Sequence, residues 1–173
     1  MAQSITATDF MNRSSFIGPF EFKFQTPCGS LIVRGSSSYI EQVELLSSDM
    51  LTFKSHHTDY PLYKKIQDQL NQYFLGERKV FDLPIKFQGS EFQMKVWKAL
   101  LEIPCGETMT YKDLAVKIGK PKAQQAVGGA VGANPIPLII PCHRIVAKGH
   151  IGGFSGPMAW KIWLLDHETS KNQ

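Results

Sequence analysis

A chain of 173 residues with 43% hydrophobic and 20% charged residues has the make-up of an ordinary soluble globular protein, long enough for one fair-sized domain or two small ones. The net charge of +4 and a pI near 8.9 are a mild basic excess, compatible with a polyanionic partner without requiring one. No apolar run reaches the roughly 20 residues that span a bilayer, and Cys28, Cys105 and Cys142 form no CxxC pair, which argues against a zinc ribbon or disulfide framework and for free thiols in a reducing compartment.

In chain order, MAQSITATDFMNRSSF lacks the layout of a secretory signal and reads as a loosely packed lead-in. Phe20–Gln25 and Leu31–Val33 are predicted strands around the turn Pro27-Cys28-Gly29-Ser30. Alternation near Tyr39–Leu46 predicts a third strand. The pair His56-His57 has no partners at metal-ligand spacing and reads as surface. DYPLYKKIQDQLNQYFLGE puts Leu62, Ile66, Leu70, Tyr73 and Phe74 on one helical face, with Pro61 suited to the first turn and Gly76 to the stop. Val80–Phe87, interrupted by Pro84, reads as an edge or extended piece.

The character changes at Gln88-Gly89-Ser90, which predicts a domain at 1–88 and another at 89–173. Ser90 with Gln93 is a capping-box signature ahead of FQMKVWKALLEI, whose Phe92, Val96, Ala99, Leu100 and Ile103 make a buried stripe. Pro104-Cys105-Gly106 ends that helix. Thr110 with Asp113 is a second capping box, opening YKDLAVKIG. After the break Lys120-Pro121-Lys122, AQQAVGGAVGAN completes a pair resembling a helix-turn-helix. Gly128-Gly129 lies inside its second helix, where each glycine costs about 1 kcal/mol relative to alanine. With Gly132 and Ala133 it leaves a face nearly bare of side chains, fit for tight helix packing or for contact with a nucleic-acid backbone. AKGHIGGFSGP reads as a loop or wing, and Pro157 starts a last helix, MAWKIWLLDHE. Trp97, Trp160 and Trp163 sit at helical spacing and read as core.

IIPCHRIV (Ile139 to Val146) sets a thiol, an imidazole and a guanidinium between apolar runs. A core strand with polar neighbours turned outward is one reading; a nucleophile beside its base is the other. A thiol reacts as thiolate, which an imidazole favours. In an extended segment Cys142 and His143 point to opposite faces, so His143 would act through a bridging water. Glu168, closing the last helix, is placed to orient that imidazole. Cys28 and Cys105 have no base nearby in the sequence and read as inert.

PCHR within NPIPLIIPCHRIV, preceded by AVGGAVGANP and followed by GGFSGPMAWKIWLL, resembles the O6-alkylguanine-DNA alkyltransferases, and FQMKVWKAL and IPCGETMTYKDLA fit the same family. The likeness is dense from Phe92 to Glu168. It implies an α+β protein with a small N-terminal ribonuclease H-like α/β domain and a helical, winged helix-turn-helix C-terminal domain. It also implies a monomer that is cytoplasmic (nuclear in a eukaryote) and acts on double-stranded DNA without metal or cofactor. The implied reaction is single-turnover transfer of an alkyl group from O6-alkylguanine, and O4-alkylthymine, to Cys142. In that reading His143 takes the thiol proton through water and Glu168 holds its tautomer. Tyr111 supports the flipped nucleotide and helps protonate the leaving group. Asn134 ties the pocket together, Pro137 walls the base, and the Ser155 N–H reaches O6 beside Gly156. Carbonyls of Cys142 and Ile145 accept from the exocyclic amine. Phe154 takes an aromatic wing position or serves loop packing. Thr110, Ala123, Gln125, Ala126, Gly129 and Val131 meet DNA, while Arg144 is read as structural.

One departure stands out. The family's recognition helix normally carries an arginine that fills the space left by the flipped base, where this chain has Gln125, and a later basic residue is replaced by Gly132. That predicts weak DNA engagement with intact transfer chemistry, with Lys112, Lys120 and Lys122 compensating in part. The competing reading is an alkyltransferase-like protein that binds the lesion with little or no transfer. Such proteins lack the acceptor cysteine that Cys142 supplies here.

Overall fold

The computed structural model describes residues 20–47 and 61–170; the lead-in and His56-His57 lie outside the described residues. The first unit is an antiparallel meander of β1 (Phe20–Thr26), β2 (Gly29–Gly35) and β3 (Ile40–Leu46), in that order across the sheet. A tight turn joins β1 to β2, with Thr26 opposite Gly29 and Gly29 at φ +142. Phe20, Phe22 and Phe24, at period two, bury one face of β1. On the other face Arg34 bridges Glu21 and Glu44 across the sheet.

The amphipathic helix α1 (Pro61–Leu75) covers the sheet's apolar face through Leu62, Ile66, Leu70 and Tyr73. It stops where Gly76 takes φ +80, a conformation open to a residue without Cβ. Buried Gln69 holds the following extended segment by accepting from the Asp82 N–H (2.8 Å) and donating to the Asp82 carbonyl (3.0 Å). That segment lies along the free edge of β3: Ile40 donates to Pro84 O and accepts from the Lys86 N–H, both 2.8 Å. Pro84 sits where an edge tolerates it, contributing only its carbonyl.

The second unit is helical. Helix α2 (Glu91–Leu101) starts at a complete capping box between Ser90 and Gln93. Next come a two-residue strand β4 (Met109–Thr110), helix α3 (Tyr111–Lys117) and helix α4 (Gln124–Gly132). Thr110 Oγ1 accepts from the Asp113 N–H, but Asp113 Oδ2 accepts from the same hydroxyl (2.6 Å), so the second box is present in one direction. The stripe predicted for α2 packs on α4, and Trp97 Nε1 donates to Ala130 O at 2.8 Å.

IIPCHRIV departs from the extended reading. Cys142–Arg144 form a 3-10 turn, and only Ile145–Val146 (β5) are strand, paired in parallel with β4. The Arg144 N–H donates to Pro141 O and the Ile145 N–H to Cys142 O, which closes the turn. Helix α5 (Met158–Ser170) ends the described chain. Among the described residues no helix is long and apolar enough to cross a membrane.

The two units are stitched along β3, α1 and α5. Val43 N–H donates to Pro135 O (2.9 Å), Trp160 Nε1 to Leu46 O (2.9 Å), and Phe74 packs its ring on Trp160 and Trp163. Trp97 and Trp160 are core, as their spacing predicts; Trp163 is half-buried and stacks on His167.

Candidate active site

The turn sets consecutive side chains roughly a third of a revolution apart, so Cys142 and His143 are not on opposed faces. Cys142 lines a cleft of about 250 Å³ with Tyr111, Gly128, Val131, Gly132, Gly153, Phe154 and Ser155. His143 is not part of that lining and is fully buried.

The other two side chains of the turn, His143 and Arg144, meet a carboxylate whose oxygens are saturated with donors. His143 Nε2 is 2.8 Å from Glu168 Oε1. Arg144 donates through Nε to Oε2 (2.9 Å) and through Nη2 to Oε1 (2.8 Å), while its Nη1 donates to Ile103 O (2.6 Å). Tyr73 OH donates to Oε1 (2.6 Å) and the Gly106 N–H to Oε2 (3.2 Å). Burial alone would raise the Glu168 pKa, but the hydrogen bonds from His143 and Arg144 outweigh it and hold the carboxylate far below its usual range. Burial lowers the His143 pKa, opposed in part by Glu168. An ionised carboxylate only accepts, so Nε2 carries the ring proton and Nδ1 is the basic nitrogen. Nδ1 is buried and has no protein partner.

Burial pushes the Cys142 thiol up to about 11, despite the Asn134 side chain and the Lys161 charge, which favour the thiolate. Ionising it in place costs about 3 kcal/mol more than in a solvated thiol. The resting sulfur is therefore a protonated thiol next to a neutral base.

Asn134 stitches the loop ahead of the turn, donating from Nδ2 to Ile140 O (2.8 Å) and accepting at Oδ1 from the Ile136 N–H (3.0 Å). Inside that loop buried Leu138 sits at φ +76, a strained conformation that costs on the order of 1–3 kcal/mol for a residue with Cβ. Pro137 is half-buried, forms an isolated backbone bridge with Ile140 and is not part of the cleft lining. Lys161 is fully buried, and its Nζ donates to Ile145 O (2.6 Å) and Gly153 O (2.8 Å). The carbonyls of Cys142 and Ile145 thus already have internal partners, and each keeps only its second lone pair for a ligand. On the wing, Tyr111 OH makes a long contact to Gly153 O (3.4 Å). Phe154 lines the cleft and lies over Gly156, where an added Cβ would come within 3.0 Å of its ring.

On α4, Val127, Ala130 and Val131 pack inward. Gln125, Ala126 and Gly129 are exposed, and Ala123 and Thr110 are partly so. A Cβ at Gly129 or Gly132 would meet nothing within 4 Å. Gly129 and Gly132 are therefore open at the Cβ position, while Gly128 faces the Tyr111 ring of α3. Val131 differs from its expected place: it lines the cleft instead of standing on the outer face with Gln125. Helix α4 carries no charged residue.

Four contributors escaped the sequence reading. Arg144, taken as structural, clamps Glu168; its place in PCHR was the available signal. Lys161 bridges β5 and the wing, Gly106 caps the carboxylate through its backbone, and Tyr73 arrives from the other unit with no local signal. Cys105 also lies closer to the site than expected, in the field of Glu168 and Arg144. Burial, followed by the Glu168 charge, raises its pKa, in keeping with an unreactive thiol.

The family model for the 6-O-methylguanine DNA methyltransferase, DNA binding domain, matches residues 91–170, and that for its ribonuclease-like domain matches residues 20–87. A methylated-DNA–protein-cysteine methyltransferase of Mycobacterium bovis is 41% identical over 148 residues, spanning 84% of this chain and 90% of that protein. The constitutive methylated-DNA–protein-cysteine methyltransferase of Bacillus subtilis is 39% identical over 151 residues, spanning 83% and 92%. The crystal structure of Mycobacterium tuberculosis OGT in complex with DNA superposes with a TM-score of 0.77 at 39% identity, covering 86% of this chain and 92% of that one.

Proposed function

The chain belongs to the 6-O-methylguanine DNA methyltransferase family, and from that premise we propose that it repairs O6-alkylguanine in DNA by moving the alkyl group irreversibly onto Cys142. The observation that carries this is the cleft itself, with the Cys142 thiol at its wall and the next residue, His143, buried against Glu168.

The thiol proton passes through one water to His143 Nδ1. Sγ then attacks the alkyl carbon, and the C–O6 bond breaks as the S–C bond forms. The electron pair stays on the purine, which takes a proton from the Tyr111 phenol and leaves as neutral guanine. Imidazolium returns a proton to the tyrosinate through solvent, so the base and the phenol are restored and the net transfer is one proton from thiol to guanine. Burial, followed by the nearby Cys142, raises the Tyr111 pKa and keeps the resting phenol protonated as a donor. The thioether has no route back to a thiol, so each molecule acts once. O4-alkylthymine presents the same kind of exocyclic alkoxy carbon to the same sulfur and is proposed as a second substrate. The outward face of α4 is the proposed DNA contact, with base extrusion costing a few kcal/mol, less for a damaged pair.

The test is intact mass after incubation with duplex DNA bearing O6-methylguanine. One added methyl per protein is expected, absent in Cys142→Ser. Unmodified protein that still binds the lesion would establish the lesion-binding alternative instead.

Gln125→Arg adds a cation to a helix that has none. It is expected to raise the second-order transfer rate on duplex DNA roughly tenfold, about 1.4 kcal/mol, and to steepen the salt dependence by roughly one unit per added phosphate contact. An unchanged rate and salt slope, read by quenched-flow transfer assays, would show that position 125 takes no part in DNA engagement.

A further inference from the structure

From the hydrogen bond that crosses between the two units, we infer that Tyr73 of α1 is a positioning residue for the His143–Glu168 pair, so that the N-terminal unit sets the charge and aim of the catalytic base. The inference rests on the function proposed for Cys142. Tyr73 is 1% exposed, and its ring is wedged among Phe74, Phe81 and His167 at centroid distances of 5.4, 5.1 and 5.4 Å. Its carbonyl lies 2.8 Å from His167 Nε2, one residue before Glu168. The hydroxyl thus has a fixed approach, and it ends 2.6 Å from Oε1, the same oxygen that faces His143 Nε2.

Sharing that oxygen has a chemical consequence. A phenol donating to Oε1 draws charge away from the side that faces the imidazole, so the carboxylate fixes the tautomer of His143 without making the ring strongly basic. The charged and titratable groups around the carboxylate are Tyr73 from α1, Cys105 from the loop after α2, His143 and Arg144 from the 3-10 turn, and His167 on α5 itself. Lys161 on α5 acts through its charge on both the imidazole and the Cys142 thiol. Arg144 also binds Oε1, but its remaining contacts hold Oε2 and the Ile103 carbonyl. Tyr73 is the only one of these donors that comes from the N-terminal unit.

Tyr73→Phe removes one oxygen and keeps the ring packing. Without the phenol Oε1 carries more charge, which stabilises the imidazolium, so His143 protonates at higher pH and the acid limb of the reaction moves upward. Two reactions are followed against pH: methyl transfer from O6-methylguanine DNA, and carboxamidomethylation of Cys142 by iodoacetamide, read by peptide mass. Iodoacetamide needs no DNA, so its profile tests Tyr73 even if DNA transfer fails. The expected result is a limb displaced upward in both profiles, with transfer roughly 10- to 100-fold slower, the range for losing an orienting partner of a functional histidine. An unchanged profile, or a uniform slowing with the limb in place, would overturn the inference, the latter marking a merely structural contact. A second measurement needs no variant: ring ¹⁵N shifts of His143 in the intact protein should report a proton on Nε2 at neutral pH, and a proton on Nδ1 would overturn the inference directly.

Discussion

Glu168→Gln is expected to cost about 3–5 kcal/mol of stability, the range for stripping one partner from a buried ion pair. At roughly 2–4 °C per kcal/mol for a chain of this size, the thermal midpoint falls by roughly 6–20 °C. The carboxylate is 2% exposed and receives Tyr73 OH, His143 Nε2, two Arg144 nitrogens and the Gly106 N–H. An amide keeps one acceptor oxygen and replaces the other with a donor facing donors. It also leaves the Arg144 guanidinium, itself 7% exposed, without its counter-charge. Calorimetry on the variant checks this, and a fall of less than about 3 °C would show that the network is far better solvated than its geometry states. Adding Arg144→Met should recover part of the loss, because the neutral pair no longer strands a charge, and groups sharing one network do not add.

The same network fixes the sign of the acid response. Glu168 titrates below its ordinary 4.5 in the folded protein, so its contribution is complete above that value and is lost as pH falls toward the folded pKa. His143 is likewise held below its ordinary 6.5. Below 6.5 the unfolded chain takes up a proton that the native imidazole refuses, and stability declines there too. Both slopes run the same way: the protein should weaken from about pH 6.5 downward, and Glu168→Gln should lose the lower part of that slope.

How much of this was legible depended on whether the cause lay close in sequence. The meander showed as period-two aromatics with Gly29 at the turn. Helix α1 showed as an apolar stripe between Pro61 and Gly76, and α2 as a stripe opened by Ser90 and Gln93. Cys142, His143 and Glu168 could be named because the resemblance supplied their roles; spacing alone left a core strand open. What stayed hidden was set by contacts distant along the chain. IIPCHRIV has the composition of a strand, and its 3-10 turn follows from Asn134 and Pro141 bonding the backbone on either side of the thiol. Arg144 was legible only as structural, and the carboxylate it holds shows only when Glu168 folds back onto it. Tyr73 carries the period of an ordinary core residue, and nothing in its neighbourhood tells that its hydroxyl ends on a carboxylate 95 positions away.

His143→Gln is expected to slow transfer at neutral pH by roughly 10²–10⁴-fold, the usual worth of a positioned general base, and to change the form of the pH profile. With a thiol raised to about 11, the fraction of free thiolate at pH 7 is on the order of 10⁻⁴. Transfer near neutrality must then run through a proton acceptor delivered with the thiol, and buried, neutral His143 with its basic Nδ1 is placed for that task. Glutamine roughly fills the space and can still donate to Glu168, but it offers no titrating nitrogen. The variant is left with hydroxide as its base, so its rate should climb roughly tenfold per pH unit from neutrality toward the thiol pKa, where the native protein, above its own acid limb, should be nearly flat. Single-turnover rates measured from pH 6 to 10 separate the two forms. A variant that remains flat across that range would mean that the thiol loses its proton to some other group, and that the buried imidazole serves only to hold Glu168 and the turn in place.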